Sequence, residues 1–354
     1  MKKNYLISTG GSGGHTTPAT ILYDHLSKEA NLIITTDKRG LKFLDKSLYQ
    51  VKIINTPKLN KILFFPFNFL IILFLILKSF FILKSKKIEK IFSTGGYMSL
   101  PIILAARILK LETYLLEPNQ VIGRANKYFL NFCKKIFCYT KNMKNFPNSA
   151  RDKIVRIDPL VKETFYGVSK NKKISDKFTV LIIGGSQGAK VFDKNLKNSI
   201  INISKIKKIR VIQQTNEKNI SNLKKFYSKN NVENKIFSFD QNLLDNMHHV
   251  DLCITRAGAS TLAELSILNI PFIAVPLPTS RDNHQFENAN FYKKNGCCWI
   301  IEQKFFEEKI ENFIKDILNN KSDYLEKKEN LKKLNYQNTW INVNQKILKI
   351  INEN

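Results

Sequence analysis

Acidic side chains are scarce in this chain of 354 residues: 29 Asp and Glu stand against 57 Lys and Arg, a net charge of +28. That excludes an acidic-surface protein and points to an anionic partner such as nucleic acid, anionic lipid or a phosphorylated substrate. Lys, Asn and Ile are abundant together, so an AT-rich coding bias is a second source of the charge, and composition leaves both standing. Cysteine is sparse too. Cys133, Cys138, Cys253, Cys297 and Cys298 are odd in number and form no CxxC. This argues against a disulfide framework or structural zinc and fits a reducing cytoplasm. The first residues, MKKNYLISTGGSGG, lack the long apolar run and cleavage site of a signal peptide. What the chain does have is apolar substance. At 43% apolar residues it can bury a core, which excludes wholesale disorder.

Short β-rich apolar runs alternate with longer helical patterns. Asn4–Thr9, Asn31–Thr36, Val51–Asn55, Lys90–Ser93, Thr113–Glu117 and Lys135–Tyr139 read as strands. Helical stretches lie near Pro18–Ser27, Leu100–Leu109 and Ile122–Phe132. A second series follows at Phe178–Ile183, Arg210–Gln213, Lys235–Phe239, Asp251–Thr255 and Pro271–Val275. The polar, aperiodic stretch Lys162–Lys177 between them reads as a linker. The expected class is therefore α/β: two successive doubly wound parallel sheets, with domains at 1–160 and 161–335. Apolar residues at Trp340, Val343, Ile347 and Ile350 or Ile351 predict a terminal helix over about 336–354, packing back on the first domain.

The segment Ile62–Leu83 is apolar except for Asn68, Lys78 and Ser79, close to what a membrane span needs. Pro66 sets a helix start, Lys78 is costly inside a bilayer, and the segment lies between strands of one sheet. Asn68, Ser79 and Lys86 share one helical stripe. We read a sheet-covering helix with an apolar outer face, followed by Lys84, Lys86 and Lys87 and suited to an anionic membrane surface. Phe64, Phe65, Phe67, Leu70, Phe74, Leu77, Phe81 and Lys84 form the expected patch. Purely internal packing and a true span are the competing readings.

Several glycine loops end strands. The first, Gly10-Gly11-Ser12-Gly13-Gly14-His15-Thr16, meets neither the GxGxxG nor the Walker A pattern. Its glycines let backbone N–H groups approach a phosphate or sugar, and His15 stands where α/β ligands bind. A capping or packing histidine is the plainer alternative. The second loop is Ser93-Thr94-Gly95-Gly96-Tyr97 and the third Gly184-Gly185-Ser186-Gln187-Gly188-Ala189. The stretch Arg256-Ala257-Gly258-Ala259-Ser260-Thr261-Leu262-Ala263-Glu264 follows a strand and opens a helix, where free N–H groups and the dipole favour a diphosphate. Glu264 fits either a ribose diol or simple dipole compensation. Asp282 to Ala289 offers polar groups for sugar hydroxyls, or is merely a polar loop.

These motifs, taken in order with the EPN and GRANK segments, resemble the MurG family, the UDP-N-acetylglucosamine:lipid I transferases of peptidoglycan synthesis within the GT-B superfamily. The resemblance covers nearly the whole chain. It implies two Rossmann-like domains with parallel sheets facing a central cleft, and an inverting transfer of GlcNAc from UDP-GlcNAc to the MurNAc C4 hydroxyl of lipid I. By resemblance, His15 is the general base, and Ser12, Gly13, Gly14 and Thr16 lie at the substrate cleft. Asn119 stands near the donor sugar, Ser186 and Gln187 in the third loop, and Phe239-Asp240 at the uracil. Ala259, Ser260, Thr261, Leu262 and Ala263 line the diphosphate, Glu264 faces the ribose, and His284 and Gln285 meet the GlcNAc.

Two departures stand out. Val161 replaces the family's arginine, with Lys162 able to substitute only by a register change, and Pro118 interrupts its EQN triplet. No DxD occurs, so a metal-chelating GT-A site lacks its main device and neither metal nor cofactor is expected. The implied partners are UDP-GlcNAc, a polyprenyl-pyrophosphate lipid and an anionic membrane, at the cytoplasmic face of the inner membrane. No RRM-like motif supports nucleic acid. The competing enzyme is a GT-B transferase acting on another lipid acceptor such as diacylglycerol.

Overall fold

The computed structural model describes residues 2–57, 65–168, 176–185, 190–238, 243–247 and 249–353. The chain divides into two compact units, Met1–Leu160 with Ile341–Asn354, and Val161–Trp340. In the first, the elements are β1 (Lys3–Ser8), α1 (Gly13–Leu26), β2 (Ala30–Thr36), β3 (Val51–Ile53), α2 (Phe65–Ser85), β4 (Lys90–Ser93), α3 (Leu100–Ile108), β5 (Glu112–Glu117), α4 (Arg124–Phe129), β6 (Lys135–Cys138) and β7 (Ile154–Arg156). The sheet order is β3-β2-β1-β4-β5-β6-β7, and Ile7 of β1 pairs with Ile34 on one side and Phe92 on the other. All these pairings are parallel. A parallel sheet covered on both faces needs unbroken apolar strands, which explains why Leu6, Ile7, Ile91 and Phe92 are all buried.

In the second unit α5 (Glu163–Tyr166), β8 (Phe178–Ile183), α6 (Lys190–Asn195), α7 (Lys197–Ser204), β9 (Ile209–Gln214), α8 (Ile220–Lys229) and β10 (Glu233–Phe237) come first. Then follow α9 (Leu244–Met247), β11 (Leu252–Thr255), α10 (Ala259–Ile267), β12 (Phe272–Ala274), α11 (His284–Lys294), β13 (Cys298–Ile300), α12 (Phe306–Asn319) and α13 (Lys321–Leu334). Its sheet order is β10-β9-β8-β11-β12-β13, again parallel throughout. In each sheet the strand order reverses beside the first strand, between β1 and β4 and between β8 and β11. Ligands of open parallel sheets bind at the carboxyl ends of such strand pairs. The four small-residue loops follow these four strands.

The structure departs from the sequence reading in several places. The edge strands β7 and β13 were not expected; each has three residues, too few to show a period. Residues 162–168 are not linker, because Phe165 is 5% exposed in the second core. The strand expected at Lys235–Phe239 lies at Glu233–Phe237. The terminal helix spans Trp340–Asn352, with Val343, Ile347 and Ile351 buried in the first unit. Residues 336–340 belong to the second unit, where Tyr166 packs on Trp340 and hydrogen-bonds Asn338 at 3.0 Å. His25 Nδ1 meets Asn344 Oδ1 of the terminal helix at 3.3 Å, and Lys90 and Lys134 donate to the carbonyls of Ile351 and Glu353. Cations at a helix C-terminus satisfy its orphan carbonyls and oppose its dipole.

The α2 helix buries Ile72, Leu75, Ser79 and Leu83. Ser79 Oγ donates to Leu75 O at 2.7 Å, so the polar stripe read from sequence lies partly on the inner face. Phe67, Leu70, Phe74, Leu77 and Phe81 are between 54% and 65% exposed, and Lys84 is exposed. By length and composition alone, Phe67–Ser85 passes as a membrane span. Phe64 lies outside the described residues, and for Phe65 only the helix start is described.

Candidate active site

The first-unit site grows from β1 and β4. After β1 the chain turns through Gly10, where a Cβ would stand 2.9 Å from Asp37 Oδ1. Glycine is required there because the carboxylate occupies the side-chain space. Asp37 is buried, and its Oδ1 accepts the Gly11 and Gly40 N–H groups at 2.9 and 2.8 Å while Oδ2 accepts Arg39 Nε at 2.8 Å. These bonds hold its carboxyl below the ordinary aspartate value, against the opposing effect of burial. Arg39 Nη2 also donates to Tyr97 Oη of the second loop at 2.9 Å. One buried carboxylate thus ties both loops together.

His15 sits in the first turns of α1, with Nδ1 2.8 Å from the carbonyl oxygen of Thr94. A carbonyl only accepts, so Nδ1 carries the hydrogen and the neutral ring keeps its lone pair on Nε2. The second loop therefore sets the tautomer of the histidine in the first. Gly96 adopts φ +83 with His15 Cδ2 3.9 Å from the place of its missing Cβ, so the loop passes close to the imidazole. Ser12 N-caps α1 in extended geometry without a side-chain cap bond.

At the end of β5, Glu117 is 2% exposed and accepts from Asn119 N and Nδ2, Gly123 N and Asn126 Nδ2 at 3.2, 2.9, 2.8 and 3.0 Å. None of these bonds uses residue 118, so Pro118 leaves the turn intact. Glu117 orients the amide of Asn119.

The second-unit site begins where β11 ends. Gly258 N-caps α10, and Leu262 N bonds Gly258 O at 3.0 Å. The N–H groups of Ala259, Ser260 and Thr261 precede that first intrahelical bond and remain for an anion. Glu264 is half-buried one turn further on. Burial pushes its carboxyl up to about 7, with Lys162 pulling it back. Asp282 and Asn283 both adopt left-handed φ, +51 and +54, before α11. Such strain in two successive non-glycine residues is typical of a binding loop. His284 Nδ1 donates to Arg281 O at 2.8 Å, and Gln285 Oε1 accepts Leu277 N at 2.9 Å. The Gln285 oxygen is thereby committed, leaving its Nε2 group to donate.

The N-terminal domain of glycosyltransferase family 28 matches residues 5–138, and the C-terminal domain of the same family matches 179–339. The chain belongs to glycosyltransferase family 28. Within it, the chain is 49% identical over the full length of both proteins to the UDP-N-acetylglucosamine–N-acetylmuramyl-(pentapeptide) pyrophosphoryl-undecaprenol N-acetylglucosamine transferase of Pelagibacter ubique. The Rickettsia felis transferase of the same name is 32% identical, over 94% of this chain and 95% of the relative. These relatives place it in the MurG family. A crystal structure of Acinetobacter baumannii MurG shares the fold, with TM-score 0.77 and 23% identity over 99% of each chain.

For this family 28 transferase the structure narrows the expected site. Thr16 is fully buried and its hydroxyl donates back to Ser12 O at 3.0 Å, so its side chain is engaged within α1. Leu262 and Ala263 are 0% and 1% exposed with side chains in the core, and the Leu262 N–H already bonds Gly258 O, so their side chains are not available to a ligand. Val161, at the family's arginine position, is likewise in the core. Lys162 lies close enough to Glu264 for its charge to lower the pKa of that carboxyl. Ser186, Gln187, Phe239 and Asp240 lie outside the described residues. Among the described residues no cluster of three or more His, Cys, Asp or Glu could hold a metal. Sequence reasoning missed the organising roles of Asp37 and Glu117. Their one signal was a charged residue at or just beyond the end of a buried strand.

Proposed function

We infer that this glycosyltransferase moves GlcNAc from UDP-GlcNAc to the MurNAc C4 hydroxyl of undecaprenyl-pyrophosphoryl-MurNAc-pentapeptide, with inversion and without a metal. The observation that carries the mechanism is the bond from His15 Nδ1 to Thr94 O, which leaves Nε2 as the basic nitrogen at the end of β1. Nε2 takes the proton of the attacking hydroxyl, directly or through one water. The hydroxyl oxygen attacks the anomeric carbon on the face opposite UDP as the sugar–phosphate bond breaks. The first-turn N–H groups of α10 and its dipole stabilise the departing diphosphate. Glu264 accepts from the ribose diol, and Gln285 Nε2 and His284 hold the sugar. Asn119, fixed by Glu117, contributes an oriented amide for the donor sugar, and Ser12, Gly13 and Gly14 serve the acceptor.

The outer face of α2 fits attachment to an anionic membrane, which brings the enzyme to a lipid-linked acceptor at the cytoplasmic side of the inner membrane. Each large apolar side chain on that face that becomes fully buried contributes about 1.5–3 kcal/mol. Lys78 and Lys84 supply attraction to anionic headgroups. A span is disfavoured because the other face of the same helix is embedded in the first core, between β3 and β4 in sequence.

The decisive assay follows labelled GlcNAc from UDP-GlcNAc to a lipid I analogue with EDTA present. Wild type forms product, whereas His15→Ala loses turnover by at least about 100-fold, the scale of a general base, and still binds UDP. Product formed only after divalent metal is restored sinks the metal-free mechanism. UDP-GlcNAc binding without product, but with transfer to diacylglycerol, replaces the acceptor assignment.

A further inference from the structure

Arg256 opens the small-residue motif but donates to neither a carboxylate nor a glycine-loop atom. It is 9% exposed, and Nη1 reaches the carbonyls of Val275 and Pro276 at 2.9 and 3.4 Å while Nη2 reaches Gln303 Oε1 at 2.6 Å. The guanidinium carbon lies 5.2 Å from the centre of the Phe192 ring. No carboxylate among the described residues pairs with it, and burial lowers its pKa from the ordinary arginine value. A buried cation with only neutral acceptors is costly, and its planar fork is suited to holding several carbonyls in fixed relation.

The carbonyls it holds belong to the turn after β12. The next residue, Leu277, donates its N–H to Gln285 Oε1. One turn along α11, Asn288 is 2% exposed and its Nδ2 donates to Ala257 O at 3.1 Å, beside Arg256 itself. The hydrogen bonds close a ring through Arg256, residues 275–277, Gln285, Asn288 and Ala257. This ring joins the turn that starts α10 to the first turn of α11. A glutamine side chain is rich in rotamers, and which end it presents to a sugar is undetermined without a fixed partner. Here the Leu277 N–H selects the oxygen, so the amide nitrogen is presented.

We propose that Arg256 is a positioning residue for the donor hexose: it fixes the 275–277 turn, the turn fixes the Gln285 amide, and sugar selectivity is thereby coupled to the start of α10. The proposal rests on the reading that Gln285 meets the sugar. It assigns Arg256 no contact with substrate. It separates recognition of UDP, made by α10, from recognition of the hexose, made through the ring.

The test uses the full chain and three variants, Arg256→Lys, Gln303→Ala and Gln285→Ala. UDP affinity is measured by calorimetry, and kcat/KM is measured for UDP-GlcNAc against its C4 epimer UDP-GalNAc. Arg256→Lys is expected to leave the UDP Kd within about threefold. It should raise the KM for UDP-GlcNAc about tenfold and erode the epimer preference as far as Gln285→Ala does, the scale of one misaligned hydrogen bond. Combining Arg256→Lys with Gln285→Ala should be no worse than Gln285→Ala alone, because both act through one amide. Gln303→Ala loosens the same fork from its half-buried end and reads the ring even if Arg256→Lys folds poorly. An equal loss of UDP and UDP-GlcNAc binding overturns the proposal in favour of a merely structural arginine. If Gln285→Ala loses the preference but Arg256→Lys and Gln303→Ala keep it, the proposal fails and the reading of Gln285 survives. If Gln285→Ala itself keeps the preference, both fall together.

Discussion

The two halves anchor their loops with opposite charges. In the first unit the anchor is the Asp37 carboxylate, which takes up the backbone N–H groups of Gly11 and Gly40. In the second it is the Arg256 guanidinium, which takes up the carbonyls of Val275 and Pro276. The sign of the anchor decides what each loop has left to offer. A carboxylate uses backbone donors, so the first loop keeps fewer N–H groups for an anion. A guanidinium uses backbone acceptors, so the donors opening α10 stay available for a diphosphate. The half proposed to offer a histidine base is built round an anion, and the half proposed to receive the negatively charged leaving group is built round a cation.

The comparison breaks most sharply at Asp37. Asp37→Ala leaves two N–H groups and Arg39 without their acceptor, and should cost about 3 kcal/mol in urea unfolding. Asp37→Asn keeps one acceptor oxygen and should cost less than half as much. Equal losses from the two variants would mean that the charge, and not the acceptor geometry, is what matters.

Titration separates the halves next. His25, in the last turn of α1 and bonded to Asn344 of the terminal helix, has its pKa lowered to about 4 by burial, against an ordinary 6.5. The unfolded chain therefore binds the proton first. Stability is complete above pH 6.5 and falls as pH drops toward 4, by about 3 kcal/mol at the limit. Hydrogen exchange in α1 and the terminal helix should accelerate in that window, and His25→Gln should abolish the dependence. Glu112, held near 2 by Lys134, Lys90 and Tyr114 against its burial, loses its contribution only as pH falls below 4.5. The two windows overlap only between about pH 4 and 4.5.

In the second half the titrating group is Glu264. Its carboxyl, near 7 when unliganded, ionises more easily once ribose hydroxyls donate to it. Uridine, which carries no phosphate, should bind more tightly as pH rises from 6 to 8, by up to about tenfold. A flat profile would remove Glu264 from the ribose. The smallest effect on folding is expected on α2. Phe74→Ser should change stability by no more than about 0.5 kcal/mol, because the side chain is solvent-facing. It should measurably weaken binding to vesicles containing anionic lipid. Unchanged vesicle binding would return this face to mere surface.

Much of the fold was legible, and particular residues show where legibility stopped. Lys90–Ser93 and Phe178–Ile183 are strands with the bounds that their apolar runs predict. The edge strands at Ile154–Arg156 and Cys298–Ile300 were invisible, because three residues define no period and pairing with a distant strand creates them. In the site, the motif RAGASTLAE was legible as a helix start, but as a string it did not say which face is buried. Leu262 and Ala263 therefore entered the expected site although they belong to the core. Thr16 entered for the same reason. Asp37 had no place in that reading and Arg256 stood only as the first residue of its motif, since nothing beside them in sequence reveals a partner.

By itself the sequence determined the alternation of strand and helix, the small-residue loops that end strands, the histidine after the first of them and the apolar run of α2. These follow from local properties: side-chain period, glycine's freedom and hydropathy. Tertiary structure decided which groups in those motifs are already engaged and which remain for substrate. His15 acquires its tautomer from a carbonyl 79 residues away, and Arg256 reaches Gln303 across 47. Such bonds exist only once β1 lies beside β4 and β12 beside β11 and β13, because a hydrogen bond needs its partners within about 3 Å wherever they stand in the chain.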